Sequence, residues 1–250
     1  MRNHPNLTVA TRCGEFFATA HRVVKLSTVR EPYRREILDE TRADVTTDLA
    51  RMEAIVRRGA TFYLTPEGRY TTDGRMLPMR GVVERLAPHA TIYLAGVSYD
   101  PFVSKRLSML YRIVRFSSGA SGTEAIAEMA KALAAIRPVT ASQLLGTWLE
   151  AWEGPFTIDQ AVDAVRTRLR DLPTVLFVDP ELRRKPRAMV AAALPLMAAW
   201  EILTRDGDRY RLSSRRRHPQ FPFVDDIISH QARFFEETLE NVRYAPAARE

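Results

Sequence analysis

The sequence predicts an α/β domain over residues 1–137, followed by a mainly helical domain over residues 138–250. Three observations predict this. Between residues 44 and 99 the signals run helix, strand, loop, helix, strand, which is the order of a mixed or parallel sheet covered by helices. Arg137-Pro138 then interrupts an amphipathic helical pattern. Beyond that break come helix-start signals and, later, a hairpin signal. A chain of 250 residues suits one large domain or two small ones, each with its own core.

Each element has a local cause. Residues 8–25 mix apolar and polar side chains in a way that suits a helix, and residues 23–26 are a candidate short strand. Val45, Leu49, Met52, Ile55 and Val56 recur at helical spacing, so the pattern predicts a helix over 44–58. Arg57 and Arg58 suit the negative end of its dipole, and Gly59 is a stop signal. Residues 61–65, Thr-Phe-Tyr-Leu-Thr, read as a buried strand by their β-branched and aromatic content. Residues 66–74 form a polar loop punctuated by Gly68 and Gly74. A short helix is expected over 79–86, a strand over 91–99, and an amphipathic helix over 122–136.

In the second part, Thr140 precedes Gln143 by three residues and Thr157 precedes Gln160 likewise, so each pair is a capping box that opens a helix. A third helix is expected over 186–198. Residues 200–204 and 209–213 flank Asp206-Gly207, a strong hairpin signal. Helices followed by a two-stranded wing give the order of a winged helix. A last helix over 224–242 carries Ile227, Ile228, Phe234, Phe235 and Leu239 on its apolar face.

The bulk numbers narrow the functional classes. Apolar content of 46% and charged content of 27% are ordinary for a globular protein. The net charge of +7 favours an anionic partner, such as phosphate head groups, an acyl thioester cofactor or nucleic acid. The single cysteine, Cys13, rules out an internal disulfide and suits a reducing, cytoplasmic compartment. No stretch is long and apolar enough to span a bilayer, and no apolar run follows Met1 as a signal peptide would require. Any membrane contact is therefore expected to be peripheral. No His/Cys/Asp cluster has ligand spacing, so no metal is expected.

The loop at Pro66-Glu67-Gly68 leaves the end of an expected strand, where α/β folds place ligand sites. A helix ending in Arg57-Arg58-Gly59 precedes it. Asp73-Gly74-Arg75, Arg80-Gly81 and a second apolar strand follow. This order resembles the glycerolipid acyltransferase family, which includes the lysophosphatidate acyltransferases. The family's Phe-Pro-Glu-Gly-Thr-Arg-Ser is matched by Leu64-Thr65-Pro66-Glu67-Gly68-Arg69-Tyr70. Its later basic residue and glycine are matched by Met79-Arg80-Gly81, and its Val-Pro-Val strand by residues 93–97. Residues 36–42 lie where the family has a strand ending in an arginine, here Arg42. The likeness covers residues 30–105.

The resemblance implies an acyltransferase-like sheet and transfer of a fatty acyl group. The donor would be a thioester on coenzyme A or acyl carrier protein, used as co-substrate with no further cofactor. The acceptor would be a hydroxyl of a phospholipid-type molecule, and an anionic membrane surface is a further partner. Glu67, Gly68 and Arg69 would line the acceptor site, with Arg42 and Arg80 as lesser candidates. A phosphate-bearing acceptor needs arginines in a preformed site, and its hydroxyl needs a base. The guanidinium is one position earlier here than in the family. The bland reading of Glu67 is a loop carboxylate that bonds nearby backbone amides.

The family's base is a histidine with an aspartate five positions later, which orients and stabilises the imidazole. Asn3-His4-Pro5-Asn6 resembles the start of that motif, yet the fifth position is Val9. His21, His89, His218 and His230 are followed there by Leu26, Leu94, Phe223 and Phe235. Three readings stand: His4 works without its partner, the protein is a non-catalytic relative, or Met1 is internal to a longer product. The rival function is a lipid- or nucleic-acid-binding regulatory module acting through the wing, where Ser214-Arg215-Arg216-Arg217-His218 is basic. No helix carries Arg, Asn and Gln along one face as base reading requires, so a nucleic-acid partner is not expected.

Overall fold

The computed structural model describes residues 30–67 and 71–245. Its contacts fall into two compact units. One contains residues up to Tyr63 together with Pro88–Ala90, and the other contains Leu64–Ala87 and the rest of the chain from Thr91. Arg137 and Pro138, where the break in the helical pattern suggested a boundary, both lie inside the second unit.

In the first unit the main element is α1, Tyr33–Arg57. It is longer than the helix expected over 44–58, and it takes in residues 36–42, which the resemblance assigned to a strand. The reason is local. Those residues are Glu-Ile-Leu-Asp-Glu-Thr-Arg, without period-2 alternation, and most are good helix formers. Arg42–Asp39 and Arg51–Asp48 pairs at i,i+3 stitch the exposed face. At the far end Gly59 adopts φ +84° and its N–H reaches the Val56 carbonyl at 2.9 Å, ending the helix as expected.

Residues 61–65 do not form the expected buried strand. No strand is assigned there, and Tyr63 is 78% exposed. A strand exists only with a backbone partner, and among the described residues this segment has none.

The second unit is mixed α/β with two small antiparallel sheets, not the mixed or parallel sheet expected. After α2, Gly81–Leu86, comes β1, Ile92–Asp100, paired along its whole length with β2, Ser108–Phe116. The 101–107 link is too short for a parallel crossover, which fixes the antiparallel sense. The only parallel contact among the described residues is a single bridge between Val139 and Val178. The inner face of the ribbon packs on α3, Gly122–Ala135, through a core of Val83, Leu94, Met129, Ala132 and Ile136.

The larger core lies among the later elements. These are α4, Ala141–Ala151; β3, Phe156–Thr157; α5, Ile158–Arg170; α6, Pro180–Arg184; and α7, Pro186–Ala199. They continue with β4, Leu203–Asp206; β5, Arg209–Leu212; and α8, Ile227–Glu240. Both capping boxes form as the sequence indicates, at Thr140/Gln143 and Thr157/Gln160. The two-residue Gly207-Asp208 turn joins β4 to β5, one position later than the Asp206-Gly207 signal, and β3 adds to the outer side of β5. Helix α4 runs along α8 at close range. A Cβ at Gly146 would stand 2.9 Å from the Gln231 Cβ and 3.1 Å from the Ile228 carbonyl oxygen, so only glycine lets the two axes approach this far. Phe102, just past β1, is fully buried in this same core. Its N–H donates to the Ser142 hydroxyl at 3.0 Å, tying the ribbon to the start of α4. Among the described residues no helix is long and apolar enough to cross a membrane.

Candidate functional site

Pro66 and Glu67 meet the far end of the following segment at Leu77 and Arg80. The Arg80 N–H donates to the Pro66 carbonyl at 2.8 Å and closes the loop. The Arg80 Nε donates to the Glu67 carbonyl at 3.1 Å, so the side chain crosses the loop mouth while its outer part stays exposed. Glu67 turns inward: its Oε2 accepts the Leu77 N–H at 2.7 Å. That matches the bland expectation for this carboxylate, which braces its own loop. Of the residues singled out from sequence, Glu67 and Arg80 are therefore brought together. Arg42 lies on α1 in the other unit, 3.6 Å from Asp39. His4, Gly68 and Arg69 lie outside the described residues.

The loop is footed on α8. Gly74, at φ +87°, leaves no room for a side chain: an added Cβ would be 2.1 Å from the His230 carbonyl oxygen. Next to it Arg75 makes a two-pronged bond to Glu240, at 2.8 and 2.9 Å. Hydrogen bonding from Arg75 holds Glu240 below the usual carboxylate range. The Thr71 hydroxyl, helped by the Arg75 amide, likewise holds Asp73 low. The Met76 N–H donates to Glu237 Oε2 at 2.9 Å.

The same Glu237 oxygen accepts from Arg137 Nη1 at 2.7 Å, and the two side chains are 14% and 7% exposed. Burial pulls Arg137 below its ordinary range, opposed by the charges of Glu237 and Glu67. The guanidinium also lies over the Phe234 ring at 4.1 Å. His230, one turn earlier on α8, is pushed down to about 4 by burial, with the Asp73 charge acting the other way. This imidazole is neutral near pH 7.

The sequence reading did not single out Arg137, Glu237, Glu240 or His230 as site residues. Arg137 entered it only as a pattern breaker. Its partner is 100 residues away, and no local spacing signals such a pair. What results is an exposed arginine at the loop mouth, with the buried Arg137–Glu237 pair bonded to the Met76 amide beneath. The buried part fixes geometry, because its charges are already matched. The mouth, with Arg80, is the part free to meet an anion.

Elsewhere in the unit the basic wing is largely neutralised. Arg215 pairs with Glu201, Arg216 with Asp226 at 3.0 Å, and Arg217 with Asp225 at 2.5 Å. His218 is buried against Trp200, Phe221 and Phe102. The exposed positions of α7 are Ala188, Ala192, Pro195 and Ala199, which offer bases no hydrogen bonds, and Arg187, which is paired with Asp159 at 2.6 Å. Trp148 and Trp152 pack on the main core. An open hollow of about 510 Å³ between α5 and α6 is lined by Arg166, Arg170 and Arg183 with Asp163. Among the described residues no His/Cys/Asp/Glu group has the arrangement of a metal site. No protein-family model, curated protein or solved structure matches the chain.

Proposed function

We propose that this chain is an acyltransferase-like protein of the glycerolipid type, with the Pro66–Arg80 loop as its acceptor-binding element. The reaction would carry a fatty acyl group from a coenzyme A or carrier-protein thioester to a hydroxyl of a phosphate-bearing glycerol-type acceptor. The acceptor oxygen forms the new C–O bond as the C–S bond breaks. The hydroxyl proton passes to a base and ends on the departing thiolate. The observation that carries this reading is the loop itself. Glu67 is locked by the Leu77 amide, Arg80 caps the mouth, and Gly74 fixes the base on α8. Such preorganisation of a cation suits phosphate recognition.

By the family likeness His4 serves as the base, and Gly68 and Arg69 complete the acceptor loop. With Val9 at the orienting position, turnover is expected to be slow, because loss of the carboxylate beside a catalytic histidine costs on the order of 10⁴ in rate. The protein would work in the cytoplasm at a membrane surface.

The test is acyl transfer to lysophosphatidate or glycerol 3-phosphate from acyl-coenzyme A and from acyl carrier protein, alongside direct binding of the acceptor. Expected are acceptor binding weakened roughly tenfold by Arg80→Ala, with folding retained, and weak transfer abolished by His4→Ala. Absence of both acceptor binding and transfer would overturn the reading.

A second reading, a regulatory module built on a winged helix, is favoured by one observation. The order α4, β3, α5, α7, β4, β5, with β3 pairing to β5, is that of a winged helix. The paired wing arginines and the alanine-lined α7 weigh against a nucleic-acid role for it. Tight, salt-sensitive binding of random duplex DNA would restore that role.

A further inference from the structure

The two faces of the β1–β2 ribbon differ in an unusual way. Its inner face carries Leu94, Ser98 and Asp100, all buried. An antiparallel ribbon with one packed face ordinarily turns polar residues outward. Here the outward face is aromatic and aliphatic: Tyr93 is 64% exposed, Tyr111 62%, Ile113 59% and Met109 54%. Cross-strand pairing sets them side by side, with Ala95 opposite Ile113 and Val97 opposite Tyr111, while Tyr99, opposite Met109, leans onto Phe221 and the main core. Among the described residues, β1 and β2 pair only with each other, so both long edges are also open. In water such a surface is a liability.

The charges around it have one sign. Arg115 stands opposite Tyr93 on the outward face, and Lys105 and Arg106 are exposed at the turn, beside Leu107. None of the three cationic side chains has a partner among the described residues. The only carboxylate in the ribbon and its turn, Asp100, is buried on the inner side. A second copy of this face would offer those cations no counter-charge. An anionic lipid surface supplies the counter-charge, takes up the aliphatic side chains and accommodates tyrosine at head-group depth.

We propose that the outward face of the β1–β2 ribbon docks the protein on anionic membranes, with Tyr93, Met109, Tyr111 and Ile113 entering the interface and Lys105, Arg106 and Arg115 meeting lipid phosphates. This requires no acyl transfer and does not rest on the acceptor loop. The test is cosedimentation of the full chain with phosphatidylcholine vesicles, with and without phosphatidylglycerol.

Wild-type protein is expected to bind only the anionic vesicles. Tyr111→Ser with Ile113→Ser should weaken binding about tenfold or more. Arg115→Glu, a solvent-exposed change that leaves the apolar set intact, should weaken it roughly fivefold or more and lower its salt sensitivity. Arg209→Glu, an exposed charge reversal on β5, should bind as wild type, which ties the effect to the ribbon face. Circular dichroism melts confirm that each variant is folded. Wild type that ignores anionic vesicles, or folded Tyr111/Ile113 and Arg115 variants that bind unchanged, would overturn the proposal. So would a wild-type dimer that the same substitutions turn into a monomer, since the face would then belong to a second copy.

Discussion

Arg137 is the residue whose role depends most on distant chain. Its guanidinium is buried, bonded to Glu237 and stacked on Phe234, while Glu237 also accepts the Met76 N–H of the acceptor loop. A buried pair of this kind adds little net stability compared with a well-packed apolar pair, but removing one partner strands the other charge. Arg137→Met is therefore expected to cost ~3 kcal/mol or more in urea unfolding. Combining it with Glu237→Gln should recover part of that loss, because the neutral amide needs no counter-charge and its carbonyl still accepts from Met76. Strictly additive losses would show that the two side chains act independently and that Arg137 contributes by packing alone. The residue scale also accounts for Glu67. A carboxylate whose Oε2 is occupied by the Leu77 amide shapes the loop, and the exposed Arg80 beside it is left to face a ligand.

At the scale of elements, what the sequence reveals is whatever its own neighbours determine. The two capping boxes, the hairpin and the Gly59 stop each need residues only a few positions apart, and all form, the hairpin with its turn one position later than read, at Gly207-Asp208. The caps differ in setting: Thr157 is partly exposed, whereas Thr140 is fully buried beneath the ribbon's link to α4. Thr157→Ala should cost ~1 kcal/mol in chemical denaturation, the ordinary worth of an N-cap. Thr140→Ala should cost about 2 kcal/mol, because it also leaves the buried Gln143 amide unmet. Equal losses at the two sites would mean that burial adds nothing to the cap. Elements that depend on remote partners are not legible in this way. Residues 61–65 have strand composition but, among the described residues, no backbone to pair with. Strand β2 escapes notice because its outward residues, Met109, Tyr111 and Ile113, are as apolar as its inward ones, which erases the alternation that would mark it. The first turns of α1 lack an apolar stripe and are held by ion pairs, which leave no hydrophobic period. The candidate site follows the same rule. Its loop is visible as a local motif, while its footing on α8 joins residues far apart in sequence.

For the molecule as a whole, the buried titratable groups set a pH dependence whose sign can be worked out. His218, enclosed by Trp200, Phe221 and Phe102, and His230, facing Asp73 and Arg137, are both lowered to about 4, chiefly by burial. As pH falls below about 6.5, the unfolded chain takes up these two protons before the folded one does, so stability falls until pH reaches about 4. Each histidine contributes on the order of 2 kcal/mol to that loss. Asp100 acts in the opposite direction. Burial raises it to about 6, against hydrogen bonds from Ser142 and the Ala141 amide. The folded state therefore holds this proton while the unfolded chain, near 3.8, has released it. The stability tied to that proton is fully present below about pH 4 and is lost as pH rises to about 6. Between pH 4 and 6, two histidines outweigh one aspartate, and the net slope is toward lower stability in acid. Thermal melts of the full chain are thus expected to lose several degrees between pH 7 and pH 4.5. His218→Phe, which keeps an aromatic ring among Trp200, Phe221 and Phe102, should flatten that profile even if it lowers stability at pH 7 through the lost Gln220 bond. A His218→Phe melting curve that runs parallel to wild type across this range would remove His218 from the account and leave the acid sensitivity to His230 and the carboxylates.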